Sequence, residues 1–238
     1  MYECSLTPQA ADGMMMLMMF AEELANVLPP EVPHRDVLIR KASHHLSLIA
    51  VANEHMNLTR ITGAREAAIK HIYDSIAPYP LFQSARRILD AGTGAGFPGI
   101  PLSIVLPNVR FVLAESIQKK ARFLDAAVEE LELPNVHVFS ERAEEVALAQ
   151  QPDVVTARAV APLPKLLELF HKALRNGARL LLYKGPDVDA ELAEAVKHRV
   201  EAEVVSRYEL PDGMGARTLI QIKNGLPAPR KSRAASRL

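Results

Sequence analysis

The chain is 238 residues long, 49% hydrophobic and 24% charged, with 28 basic residues against 28 acidic ones. That balance excludes a disordered polymer, and the length suits one large α/β unit with a smaller appendage. A single cysteine, Cys4, excludes a disulfide framework and a cysteine-built metal site; no metal site of any kind is suggested. The longest apolar run, from Met14 to Ala21, is too short to cross a bilayer and is followed at once by Glu22 and Glu23. The expectation is a cytoplasmic protein without membrane association, its methionine stripe packed inside.

In chain order, helical spacing predicts helices over 14–27, 35–54 and 64–77, with Pro29-Pro30 and Pro78 as stops. No strand is expected before residue 86. Short apolar runs then predict strands at 87–91, 109–115, 136–139, 153–157 and 179–183, with helices at 119–131, 163–174 and 188–200 between them. Repeated strand–helix units imply a mainly parallel sheet covered on both faces. Two last strands, 203–210 and 217–223, are joined only by Pro211-Asp212-Gly213 and so must be antiparallel. The fold class read from this pattern is α/β, a doubly wound Rossmann-like sheet with a terminal antiparallel hairpin. The chain divides into an N-terminal helical cap (1–84), a cofactor-binding domain (85–224) and a flexible basic tail (225–238). No acid follows Asp212, whereas Arg217, Lys223, Arg230, Lys231, Arg233 and Arg237 do, and the basic tail attracts polyanions.

The densest chemistry lies in Ile88-Leu89-Asp90-Ala91-Gly92-Thr93-Gly94-Ala95-Gly96-Phe97-Pro98-Gly99. An apolar strand enters a glycine turn that opens a helix, so backbone can approach a ligand and free N–H groups face an anion. Glu115 ends the next strand, at the roughly 20-residue spacing where an acid meets ribose hydroxyls. Gly94-x-Gly96-x-x-Gly99 also fits a nicotinamide enzyme, whereas no Lys-Ser/Thr follows, which excludes an NTPase phosphate loop. Three features favour S-adenosylmethionine. Asp90 precedes the turn by two residues, where it can hold the loop or meet the amino-acid moiety. The sheet ends in an antiparallel hairpin, and the helical module comes first.

The acceptor is narrowed by what is missing. Pyrimidine C5 methylation needs a thiol nucleophile, and Cys4 is the only one. Exocyclic amines are usually served by an Asp/Asn-Pro-Pro-aromatic loop after the fourth strand, where this chain reads Thr156-Ala157-Arg158-Ala159-Val160-Ala161-Pro162-Leu163. What remains is an acceptor with its own lone pair, such as a purine N7, or an oxygen helped by a base.

An ordered set of motifs then points further. Asn57-Leu58-Thr59-x-Ile61, His71-Ile72-x-Asp74-Ser75, the turn from Asp90 to Leu102, Glu115-Ser116-x-x-Lys119-Lys120-x-x-Phe123-Leu124, Arg142-Ala143-Glu144-Glu145, Arg158-Ala159 and Lys184-Gly185 span about residues 40–223. Together they resemble the bacterial small-subunit ribosomal RNA guanine-N7 methyltransferases, formerly called glucose-inhibited division protein B. The resemblance implies a class I S-adenosylmethionine-dependent methyltransferase acting on one guanine of 16S rRNA, with the small ribosomal subunit as partner. It places the cofactor against Gly92, Gly94, Phe97, Ala143, Glu144 and Arg158, with Asp90 beside the turn and Glu115 at the ribose. Arg158 is the candidate for positioning the reactants; no catalytic base is assigned. Lys119, Lys120, Arg122, Lys184, His71 and Asn57 are the RNA-binding candidates. A nicotinamide oxidoreductase and a non-catalytic RNA-binding module stand as alternatives.

Overall fold

The computed structural model describes residues 8–224, with side chains from residue 12 onward. Cys4 and the basic tail at 225–238 lie outside the described residues. Seven strands, in spatial order 136–139, 110–114, 87–91, 154–158, 179–184, 216–224 and 200–209, form one sheet. Strands β1 (Arg87–Ala91), β2 (Arg110–Ala114), β3 (Val136–Phe139), β4 (Val154–Arg158) and β5 (Arg179–Lys184) run parallel. Strand β7 (Ala216–Asn224) inserts antiparallel between β5 and β6 (Val200–Glu209), and its register sets Thr218 opposite Lys184.

Period-two alternation divides the strand side chains between two layers. Ile88, Phe111, Leu113 and Leu181 face α5 (Gly99–Val105) and α6 (Gln118–Glu130), through Ile100, Leu102 and Leu124. Leu89, Val112, Leu180 and Leu182 face α7 (Ala143–Gln150), α8 (Leu163–Arg175) and α9 (Asp189–Lys197). Each fully buried side chain of this kind contributes about 1.5–3 kcal/mol of transfer free energy.

The N-terminal segment consists of α1 (Pro8–Val27), α2 (Arg35–Met56) and a short α3 (Ala64–Ala67). The last continues through a π-helical turn, Ala68–Tyr73, into α4 (Asp74–Ile76). Its buried Leu24, Leu38, Ile69 and Ile72 share one core with Ile88 and Phe111, so these helices complete one face of the sheet. Two lysines lock α2 against α6 by capping each other's helix. Lys41 Nζ donates to the Leu131 and Glu132 carbonyls (2.7 and 2.8 Å), while Lys119 Nζ donates to His55 O at 2.8 Å. Cations at helix carboxyl ends also complement the macrodipole. Arg65 ties α1 to the hairpin turn through Glu23 (3.1 Å) and Asp212 (2.8 Å).

Two expectations are corrected. The helix expected over 188–200 stops at Lys197: Arg199 turns the chain at φ 55, and β-branched Val200 begins β6 opposite Asn224. Of the methionine stripe, Met16 packs against the core and the four flanking methionines do not. Met14, Met15, Met18 and Met19 are 52%, 69%, 65% and 46% exposed, because α1 turns Phe20, Leu24 and Val27 to the core at four- and three-residue spacing. Among the described residues, no helix is long and apolar enough to cross a membrane.

Candidate active site

Strand β1 is where the winding reverses: β2 and β3 lie on one side, β4 and β5 on the other. The chain leaves β1 between two oppositely directed wings, which opens a crevice outside the strand ends. The glycine turn occupies it. Gly92 and Gly94 both have φ 63, a conformation that costs an L side chain roughly 1–2 kcal/mol. The N–H groups of Gly92 and Thr93 donate to Ala114 O (2.9 and 3.2 Å), folding the turn over the end of β2.

Asp90 holds this turn from beneath. Its Oδ2 accepts from Thr93 Oγ1 at 2.6 Å and from Gly99 N at 2.8 Å, while the buried Oδ1 has no partner among the described residues. Burial pushes its pKa up to about 6, against the pull of those two hydrogen bonds. Of the two roles open to Asp90 from sequence, holding the loop is the one made by contacts here. Gly99 must be glycine for packing: a Cβ would lie 2.3 Å from Leu113 Cδ2 and 2.8 Å from Asp90 Oδ2. Glu115 directly follows β2, is buried, and accepts the Ile117 N–H at 2.8 Å through Oε1. Ala143 and Glu144 begin α7 just beyond β3, with Arg142 as N-cap. Thus Asp90, Gly92, Gly94, Glu115, Ala143 and Glu144 come from three successive strand ends along one side of the crevice.

Phe97, later in the same turn, meets the helical segment and Arg158. Phe97 stacks on His71 with ring centroids 4.4 Å apart and planes 4° from parallel; the Arg158 guanidinium lies 5.5 Å from the Phe97 centroid. His71 Nε2 shares a 2.9 Å hydrogen bond with Thr59 Oγ1, and its Nδ1 is buried without a partner among the described residues. Burial first, then Arg158 and His45, push the His71 pKa down to about 3, so the ring is neutral. His45 lies 5.1 Å from the Phe97 ring, fully buried, with its pKa pushed down to about 4 by burial against an opposing pull from the Ala95 backbone. Thr59 is itself clamped: Asn53 accepts its N–H at 2.9 Å and donates to its carbonyl at 3.0 Å.

Beyond Arg158 a cleft of about 460 Å3 is lined by Lys70, His71, Asp74, Arg158, Lys184 and Arg217. Sequence reasoning counted Arg217 only among the cations after Asp212 and missed its place in this cleft, and it missed Lys70. The signal for Arg217 is register: Thr218 pairs with Lys184, so the residue before Thr218 stands at the carboxyl end of the parallel strands. Of the RNA candidates, His71 and Lys184 line this cleft, but His71 is buried and Lys184 Nζ pairs with Glu191 at 2.5 Å. The remaining four lie apart from it. Asn57 caps α2 at φ 50, Lys119 caps the same helix end, Arg122 donates to Gln118 at 3.2 Å, and Lys120 is half-buried. The structure therefore divides the six between two places.

A family model described as rRNA small subunit methyltransferase G matches residues 38–219. The ribosomal RNA small subunit methyltransferase G of Solibacter usitatus is 57% identical over 210 residues, covering 87% of this chain and all of that one. The protein of the same name from Carboxydothermus hydrogenoformans is 40% identical, covering 78% and 83% of the two chains. Among solved structures, cofactor-bound Rv0187 from MTB superposes with TM-score 0.53 at 18% identity, covering 84% of this chain and all of that one. TrmK of M. capricolum, solved with S-adenosyl-homocysteine, gives 0.52 at 15% identity, covering 68% and 74%. These structural likenesses speak for the fold.

Proposed function

The chain belongs to the rRNA small subunit methyltransferase G family, and from that premise we propose that it methylates N7 of one guanine in 16S rRNA. It is an S-adenosylmethionine-dependent rRNA methyltransferase; the base and the atom are our reading. The observation that carries it is that the matched stretch, 38–219, contains both the glycine crevice and the adjoining cleft.

The crevice fits the donor. Gly92 lets backbone approach a ligand closely, and the buried Asp90 Oδ1 has hydrogen-bonding capacity left unspent. In this reading Gly92, Gly94 and Phe97 line the loop side, Asp90 and Arg158 the amino-acid end, Glu115 the ribose, and Ala143 with Glu144 the adenine edge. When bound, the donor supplies an electrophilic methyl group on a sulfonium. A purine N7 attacks with its own lone pair, so the protein need not remove a proton. Its tasks are alignment and exclusion of water. The buried stack of His45, Phe97 and His71 supports that: both imidazoles are neutral and offer no charge beside the crevice.

We assign residues 1–84 as a helical cap, 85–224 as the methyltransferase domain and 225–238 as a basic tail that meets RNA phosphate. The partner is the small ribosomal subunit or its rRNA, in the cytoplasm. The test is to incubate purified protein and methyl-labelled S-adenosylmethionine with 30S particles from cells lacking the enzyme. The reading expects label in 16S rRNA; unlabelled rRNA alongside an active control methyltransferase overturns it.

A further inference from the structure

Asp74 is 1% exposed and sits where four elements converge on the cleft. Its Oδ2 accepts from Arg158 Nη1 at 3.3 Å and from Arg217 Nε at 3.2 Å; its Oδ1 accepts from Tyr208 OH at 3.0 Å. The Tyr208 hydroxyl is equally 3.0 Å from the Asp74 carbonyl, so its single proton is shared between the two oxygens. Arg158 Nη1 is braced further by Lys70 O, at 2.9 Å, within the π-helical turn that leads into α4. One buried carboxylate thus joins the end of β4, β6, the start of β7 and the cap.

A buried carboxylate is costly unless its charge is met, and two guanidiniums would repel each other without the anion between them. Here the single acid serves both. It fixes the guanidiniums as a pair and leaves donors over: Arg158 Nε and Nη2, and Arg217 Nη2, have no hydrogen-bond partner among the described residues. Both arginines line the cleft, partly exposed, with side chains 19% and 26% accessible. Arg158 also lies against Phe97 of the donor turn. The same carboxylate therefore connects the donor side to the acceptor side.

We infer that Asp74 is a positioning residue for methyl transfer: it aims Arg158 and Arg217 as one unit, so that their remaining N–H groups hold an acceptor oxygen of the target nucleotide in line with the donor. The chemistry recognised is an oxygen acceptor, a guanine O6 or a flanking phosphate, by planar guanidinium donors. This rests on the methyltransferase reading above.

The experiment is a double-mutant cycle on the full-length protein, with S-adenosylmethionine affinity and melting temperature measured beside kcat and KM for 30S particles. Asp74→Asn is expected to lower kcat about 100-fold, the scale of an ångström's misplacement of reactants. Donor affinity should stay within a few-fold. Arg217→Ala should do the same, and the double variant should lose no more than the worse single one, as residues acting as a unit do. A folded Asp74→Asn enzyme with unchanged kcat, or single losses that multiply, overturns the inference. If Asp74→Asn does not fold, Arg217→Lys decides instead: it keeps the charge but loses the Nε donor, so wild-type kcat there overturns the pairing, and a loss like that of Arg217→Ala supports it. Replacing guanine by 7-deaza-guanine removes N7 but keeps O6 and the phosphates, and binding to Asp74→Asn should weaken equally for both RNAs. Wild-type protein that labels no rRNA would mean that the activity reading, not the pairing, has failed.

Discussion

The Arg158 guanidinium carbon lies 5.5 Å from the centroid of the Phe97 ring, which seats the end of β4 on the turn that follows β1. Such a cation–π contact is worth about 0.5–2 kcal/mol depending on desolvation. More important, Arg158 touches the glycine turn through Phe97 and itself lines the adjoining cleft, where it pairs with Asp74. Arg158→Ala should lower kcat by about 100- to 1000-fold, the range seen when a pre-organised donor is lost. The fold survives, because Arg217 and Tyr208 still meet Asp74. Steady-state kinetics beside a melting curve check this; near-normal kcat would remove Arg158 from the site.

Gly92→Val puts a branched residue at φ 63, with its Cβ 3.1 Å from Val160 Cγ2. Val160 is 41% exposed and can give way, so the backbone conformation decides the outcome. S-adenosylmethionine affinity should fall at least about tenfold, equal to 1.4 kcal/mol, while the protein remains folded. Titration calorimetry measures it, and a folded variant with unchanged affinity contradicts the close-approach role of Gly92.

Gly99→Ala tests a different cause. Its Cβ would collide with Leu113 and with the Asp90 oxygen that receives the Gly99 N–H. The expected cost is about 1–3 kcal/mol of stability, the price range of overpacking, with donor affinity falling as well. Chemical denaturation would show it as a shifted midpoint; an unshifted midpoint would mean the turn relaxes freely.

These contrasts show how much of the site was legible in the sequence. The glycine turn, Asp90 and Glu115 could be placed because each is fixed by the strand immediately before it, and those strands are apolar runs with clear ends. The five parallel strands were legible for the same reason. Asp74, Tyr208 and Arg217 were not legible as a cluster, since they lie far apart in the chain and meet only once β7 has inserted between β5 and β6. The methionine stripe misled because its four exposed members are apolar, yet the face that packs is set by Phe20, Leu24 and Val27.

Acid should destabilise the protein through two histidines. The pKa values of His45 and His71 fall from 6.5 to about 4 and about 3 on folding, so the unfolded chain binds more protons. Their contribution is intact above pH 6.5 and is lost as the pH falls below it, by up to about 1.4 kcal/mol per pH unit for each. Asp90 works in the opposite sense between about 6 and 3.8, because folding raises its pKa, and offsets part of the loss. Denaturation midpoints measured from pH 7.5 to 5 should therefore decline, less steeply in His45→Leu. A flat profile would mean that these rings are not buried neutral.

Deleting residues 229–238 removes Arg230, Lys231, Arg233 and Arg237. If each neutralises one phosphate, the slope of log affinity for rRNA against log salt becomes shallower by about 3–4. Fluorescence anisotropy over a salt series measures it, and an identical slope would exclude the tail from the RNA contact.

Where the methyl group lands decides whether N7 of one guanine is the acceptor. Purified enzyme, S-adenosylmethionine and 30S particles lacking the modification are incubated, the 16S rRNA is digested, and the labelled nucleoside is identified by mass spectrometry and mapped by cleavage at N7-methylguanosine. One N7-methylguanosine at a single position is expected if guanine N7 is the acceptor. Label on any other atom or base, or scattered over many guanines, contradicts it.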